Sequence, residues 1–279
     1  MELTNTISPT TNVSKASATT GLGFLKATGK IWFVAAVLGQ WIFAYYVAAF
    51  YGGSAIQGNL KAWEEVLPHG MIEGDAMGNI ALAGHLLLAV IIIVFGPLQF
   101  IPKFRKALPK FHRWNGRVYL FAVVLTSLFG LYMIWTRGTV GGTIMRIGTS
   151  LDGVLIIVFS VIALRLAVQR KFEKHLRWAM RLFIVVSGVW FFRVGLMFWI
   201  VINGGPAGFD PETFQGPFLS FWTFGQYLLP LAILELYYLA QDRAKATGRF
   251  AMGGSLLLWT LAMLAGTVVA TMGMWLPRL

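Results

Sequence analysis

An all-α chain that crosses a membrane several times is the fold class the sequence predicts, and three observations predict it. Hydrophobic residues make up 57% of the 279 positions and charged residues only 12%, a balance far from that of a soluble domain. Apolar runs of about 20 residues, enough to cross a hydrocarbon core of about 30 Å, recur along the whole length. The third observation is a self-similarity. Shifted by 64 positions, Lys110, Arg113, Trp114 and Arg117 fall on Lys174, Arg177, Trp178 and Arg181. Upstream, Gly78, Ile80, Gly84, Leu87 and Val90 fall on Gly142, Ile144, Gly148, Leu151 and Val154; downstream, Met133 and Trp135 fall on Met197 and Trp199.

Apolar bias alone does not place polar and aromatic residues in register, so a duplicated unit covering 78–135 and 142–199 is expected. Coincidence between two basic loops, each preceding an apolar helix, is the alternative. Each copy enters and leaves the membrane in the same direction, which predicts a rotation axis along the membrane normal and a four-helix core shared by the copies. Seven spans are expected, at 31–51, 77–100, 118–135, 144–164, 178–202, 218–240 and 251–276. Residues 1–28, rich in Ser, Thr and Asn, read as a disordered cytoplasmic tail, and 29–279 as one transmembrane domain.

In chain order, Lys61 to Leu67 could lie as a short amphipathic helix on the surface. Gly96 to Phe100, followed by Pro102, weakens the end of the second span and fixes where the chain leaves the membrane. The Gly/Pro-rich, acidic connection after the fifth span reads as an ordered turn or a flexible lid. The seventh span, built of small residues, is expected to pack closely on its neighbours. The net charge of +12 lies mostly before the first span and in alternate connections. By the positive-inside rule these face the cytoplasm, with the C-terminus on the other side. Nucleic acid is not the expected partner; the bilayer and its anionic head groups are. Cysteine is absent, which excludes disulfides, cysteine-ligated clusters and covalent c-type haem.

Ionisable residues at membrane depth are functional candidates, with a structural pair as the plain alternative. His85, Asp152 and Arg193 are expected in one layer, with Asp152 and Arg193 close enough to pair; Glu235 has Arg165 or Arg181 within reach. Gln40 and Gln226 could line the interior. On the cytoplasmic side His112 and His175 begin RWxxR motifs containing Arg113, Arg117, Arg177 and Arg181. Two such motifs about one axis could hold b-type haem, with quinone as electron partner, or an anionic lipid or small metabolite; an interfacial anchor is the alternative. A structural subunit without a ligand is also open. No metal-binding motif appears, and whether the chain is an enzyme stays undecided.

The intramembrane His85 before GPLQF, then HRWNGR at 112–117, HLRWAMR at 175–181 and Arg193, resembles the bacterial predicted membrane proteins called domain of unknown function twenty-three hundred and six. The resemblance covers roughly 80–200. Ala179 departs from it, standing where Met is expected directly after RW. It implies a multi-spanning inner-membrane protein and brings no activity with it.

Overall fold

The computed structural model describes residues 9–67 and 69–279, with side chains from residue 19 on, and its described elements are helical. Helix α1 spans Pro9–Val47 and passes through a π-turn into the short α2, Gly53–Ile56. Then come α3 (Ala76–Phe95), the short α4 (Pro102–Ala107), α5 (Pro109–Thr136), α6 (Gly142–Val168), α7 (Phe172–Val186), α8 (Gly188–Asn203), α9 (Pro217–Arg243) and α10 (Ala246–Ala270). Among the described residues six helices are long and apolar enough to cross a membrane, or seven if α7 and α8, bent by 54°, form one broken span. Leu87, Phe121 and Leu258 are more than 60% exposed; in a bilayer such side chains face lipid, so the exposed apolar surface is part of the fold.

Two expectations about the ends of elements change. Residues 9–28 of the expected tail lie in α1; residues 1–8 fall outside the described residues. Packing explains the helix: Leu25 is fully buried, and Phe24 lies 5.3 Å from Phe250 against Gly253. Lys61 to Leu67 does not form a surface amphipathic helix either. Leu60–Glu65 is a single 3₁₀ segment, and Trp63 inserts with its Nε1 donating to the carbonyl of Tyr51 at 3.1 Å.

The expected stop after the second span is built in detail. Helix α3 ends at Phe95, Pro97–Phe100 forms a 3₁₀ turn, and Pro102 opens α4. Both arginine motifs lie inside helices rather than in the loops before them, HRWNGR on α5 and HLRWAMR on α7. The connection after α8 is an ordered turn. Asp210 Oδ1 accepts from the backbone of Glu212 and Thr213, and Trp199 Nε1 donates to Ala207 O at 2.8 Å.

Helix α1 packs along α10, α3 along α5, and α6 along both α5 and α7. The main buried cluster is built largely from α1, α8 and α10, including Ala36, Phe43, Tyr46, Trp190, Val194 and Met263. The first and last spans therefore form interior rather than wrapping a four-helix core. Lipid is as apolar as leucine, so this association rests on close contact through small residues. A Cβ on Gly266 would stand 2.2 Å from the carbonyl oxygen of Val194. The two segments related by the 64-residue shift share the order helix, basic linker, helix. They differ in the second helix, unbroken in α5 and bent between α7 and α8.

Arg137, at the end of α5, clamps the loop before α3. Its Nε and Nη2 donate to Asp75 Oδ2 at 2.9 and 2.7 Å, Nη2 also to Asn79 Oδ1 at 2.7 Å, and Nη1 to Gly70 O at 3.0 Å. Asp75 in turn caps α3, its Oδ1 accepting from Gly78 N at 2.9 Å. The Gly78 N–H, and then the Arg137 guanidinium, hold the Asp75 carboxyl below the usual carboxylate range. A carboxyl lowered on folding contributes stability that is complete above its unfolded pKa of about 3.9. That contribution is lost as pH falls through the lower folded value. Thermal unfolding in detergent should therefore lose an acid-dependent component below about pH 4 that Asp75→Asn does not show; identical acid profiles would place the clamp outside the stability of the fold.

Candidate intramembrane site

Between the helices lies a cavity of about 140 Å³. Most of its wall is apolar, and its polar groups come from four helices and one helix break: Gln40 on α1, His85 on α3, Tyr119, Thr126 and Ser127 on α5, Thr149 and Asp152 on α6, and Ser187 at the break between α7 and α8. The lining follows the 64-residue shift. His85 and Thr149, Ala89 and Gly153, Ile92 and Ile156, Tyr119 and Phe183, Val123 and Ser187, and Thr126 and Trp190 are six equivalent pairs, and both members of each line the same cavity.

Asp152 is 4% exposed, and its Oδ1 is buried without a hydrogen-bond partner among the described residues. Room for it comes from Gly188, where a Cβ would lie 2.6 Å from Asp152 Oδ2. Only glycine accommodates that approach, and the helix breaks there. Ser187 Oγ donates to Phe183 O at 2.7 Å and accepts from Gln40 Nε2 at 3.0 Å. A Ser–Gly pair whose hydroxyl engages the preceding turn is a recognised cause of a sharp kink.

His85 faces the same space from α3. Its Nδ1 donates to the carbonyl of Thr126 at 3.0 Å, which in the neutral ring leaves Nε2 an acceptor. The expected pairing of Asp152 with Arg193 does not occur. The ion pairs among the described residues are Arg137–Asp75, Arg177–Asp242 and Arg181–Glu235. Arg193 lies over the ring of Phe43, 5.3 Å from its centroid, with one N–H on Val189 O at 3.2 Å. A five-residue offset from Gly188 turns its side chain away from Asp152 by about 140° around the helix. Gln40 lines the cavity; Gln226 instead donates to Thr223 O.

At the end carrying the basic linkers, the two motifs are used differently. Arg177 donates to both carboxylate oxygens of Asp242 at 2.6 Å. Arg181 holds Glu235 at 2.6 and 2.8 Å, one of the two partners expected for that carboxylate. Both guanidiniums also lie over Tyr238, at 4.7 and 5.5 Å. On α5, Arg117 lies over Trp114 at 5.3 Å, Arg113 and Trp114 are exposed, and no ion pair involves Arg113 or Arg117. The cause is α9, which packs on α7 and brings Asp242 and Glu235 to that copy. A ring of four equivalent arginines, expected to frame one anion, is therefore not formed.

His175 Nδ1 donates to Ala163 O at 2.9 Å, and His175 lies within electrostatic reach of His112. His112 Nδ1 is buried without a partner. Sequence reasoning passed over Asn115, which stands inside the first motif and donates to the carbonyl of Phe95 at 3.0 Å, closing an open acceptor at the end of α3. Its equivalent is Ala179, where the family resemblance also departs, so the exception within the repeat marked it.

Residues 82–211 match the family described as predicted membrane protein (DUF2306). The matched segment holds α5 to α8 and most of α3, so it carries His85, Asp152, Ser187 and both arginine motifs, while α1, α9 and α10 lie outside it. No curated protein and no solved structure matches the chain.

Two double-mutant cycles distinguish the pairings described. Asp152→Asn and Arg193→Gln should change stability additively, within about 0.5 kcal/mol, as separate sites do. Arg181→Gln and Glu235→Gln should show coupling, because either alone strands a charge at the membrane edge. Strong coupling in the first cycle would restore the Asp152–Arg193 pair.

Proposed function

We propose that the chain is an intramembrane binding protein of the carrier type for a small, largely apolar molecule bearing one cationic group. The observation that carries this reading is Asp152, a carboxyl at membrane depth with no counter-ion, opening onto a cavity of about 140 Å³. An apolar cavity of about 150 Å³ holds a benzene ring, so one ring fits here with an ammonium group against Asp152. The ligand supplies the missing charge partner, and neutralisation lets the carboxylate exist at that depth. His85 Nε2 is the second polar contact, accepting a hydrogen bond, while Gln40 and Ser187 hold the wall together.

Two features favour a carrier over a static receptor. Six pairs of residues 64 positions apart line the cavity, which supports a site between related segments, and carriers built from repeats bind substrate at such an interface. The span beside the site is broken at Ser187, and non-helical backbone at membrane depth is tolerated where it lines a cavity. Titration of the full chain in detergent with benzylamine tests the reading by calorimetry. Binding is expected, and Asp152→Asn should weaken it about tenfold or more, the loss of one charge-assisted contact. Equal binding by the wild type and Asp152→Asn overturns the reading.

A b-type haem held by His112 and His175 is the second reading, favoured by the buried Nδ1 of His112, which has no partner among the described residues. The bond from His175 Nδ1 to Ala163 O would orient that imidazole if it held a metal. Arg113 and Arg117 are left for the propionates, because Arg177 and Arg181 hold carboxylates. Such a group would supply one-electron transfer. Protein purified from haem-supplied cells should then show a Soret band, absent from His112→Ala and His175→Ala. A colourless wild type ends this reading and leaves the first untouched.

A further inference from the structure

Arg193 is a cation within a membrane-crossing helix, and among the described residues no carboxylate meets it. Of its five N–H donors, one is directed to Val189 O. That bond turns the guanidinium back along α8 toward the cavity, whereas a snorkelling arginine would extend toward the end of the bundle. Beside it, Phe43 packs on Trp275 at 5.1 Å, and Tyr46 stacks on Trp275 at 6.3 Å. Trp275 Nε1 and Trp190 Nε1 are buried without hydrogen-bond partners among the described residues, and the Tyr46 hydroxyl, buried too, has only that of Tyr51 beside it. Arg193 and Arg278 are both within electrostatic reach of Tyr46 and Tyr51.

The cluster thus holds a surplus of donors, two cations and no anion. Its complement is an acceptor carrying negative charge. The walls are aromatic, and one guanidinium lies against them. Arg193 balances a single negative charge against these rings; Arg278 is turned to the carbonyl of Met274, so the second charge of a phosphate dianion is not met at the same place. A carboxylate matches the flat guanidinium edge and accepts hydrogen bonds from a phenol and an indole at the same time.

We propose that Arg193, Tyr46 and Trp275 form a receiving site for a small monocarboxylate, separated from Asp152 by the ring of Phe43. Phe43 lines the cavity on one face and carries Arg193 on its ring, so the two sites share one side chain. This adds an acidic group to the ligand class and makes the preferred ligand amphoteric, its amine toward Asp152 and its carboxylate toward Arg193. The amphoteric part rests on the cavity reading above. Carboxylate recognition depends on Arg193 alone.

Calorimetric titration of the full chain in detergent with benzoate, benzylamine and inorganic phosphate separates the cases. Benzoate should bind the wild type, and Arg193→Gln should weaken it about tenfold or more, as expected for a charged hydrogen-bonded contact. Tyr46→Phe, which removes only the hydroxyl, should weaken it by about threefold to tenfold, and Arg193→Lys should retain part of the binding. Asp152→Asn should leave benzoate unchanged while losing benzylamine. If benzylamine fails to bind and benzoate behaves as described, the cavity reading falls and this site stands. Benzoate that does not bind, binds equally to Arg193→Gln and Tyr46→Phe, or is displaced by phosphate at similar concentration overturns the proposal. Arg193→Gln removes a charge that has no carboxylate partner, so the fold should persist; if it does not, Arg193→Lys and Tyr46→Phe carry the test.

Discussion

A carboxyl can lie at membrane depth only where the protein makes room for it and spares it an apolar wall, and the contact between Asp152 and Gly188 meets the first condition here. Helices α6 and α7–α8 approach so closely that any side chain at 188 would displace the carboxylate. The same position is where the span breaks, and Ser187 ties the break to Gln40 of α1. The Ser187–Gly188 pair thus stands at once beside the Asp152 carboxyl, at the kink and at the contact with the first helix. No cation among the described residues meets that carboxyl, which makes Asp152 a functional candidate at membrane depth.

The fold was readable because its signals are strong and local. Apolar length fixes the spans whatever their neighbours do, and the proline and glycine after Phe95 end α3 where their chemistry requires. The tail was misread for the opposite reason. Residues 9–28 have a composition that favours disorder in isolation, and only their contact with α10, some 225 residues later in the chain by the Phe24–Phe250 pair, holds the later part of them as helix. Composition reports nothing about a partner so distant. The same limit hid the clamp of Arg137 on Asp75: each residue closes a different helix end, and neither looks unusual alone.

The two arginine motifs illustrate how near-identical sequences acquire unlike roles. Arg113 and Arg177 are equivalent in the 64-residue register, but α9 packs on α7 and supplies Asp242 and Glu235 to the arginines there. Those pairs, each bidentate and backed by Tyr238, anchor α9 to α7 at the membrane edge. On the other copy the same side chains stay exposed, beside a stretch that has no acidic residue between Asp75 and Asp152. A pattern of residue types therefore located the cationic edge correctly and could not say which cations were already spoken for.

The candidate site is best located by where the repeat fails. Asp152 stands opposite Leu88 in the 64-residue register, Ser187 and Gly188 opposite Val123 and Val124, and Arg193 opposite Phe129. In each case the first copy has an apolar residue suited to lipid or core, and the second has a polar or minimal one. Three of these four departures, Asp152, Ser187 and Gly188, meet at the cavity, and Arg193 lies just beyond Phe43. The positions that keep the repeat, such as Ile92 with Ile156, supply the apolar wall. Polarity enters from both segments, through His85, Tyr119, Thr126 and Ser127 in the first and Asp152 and Ser187 in the second, and the carboxyl comes from the second alone.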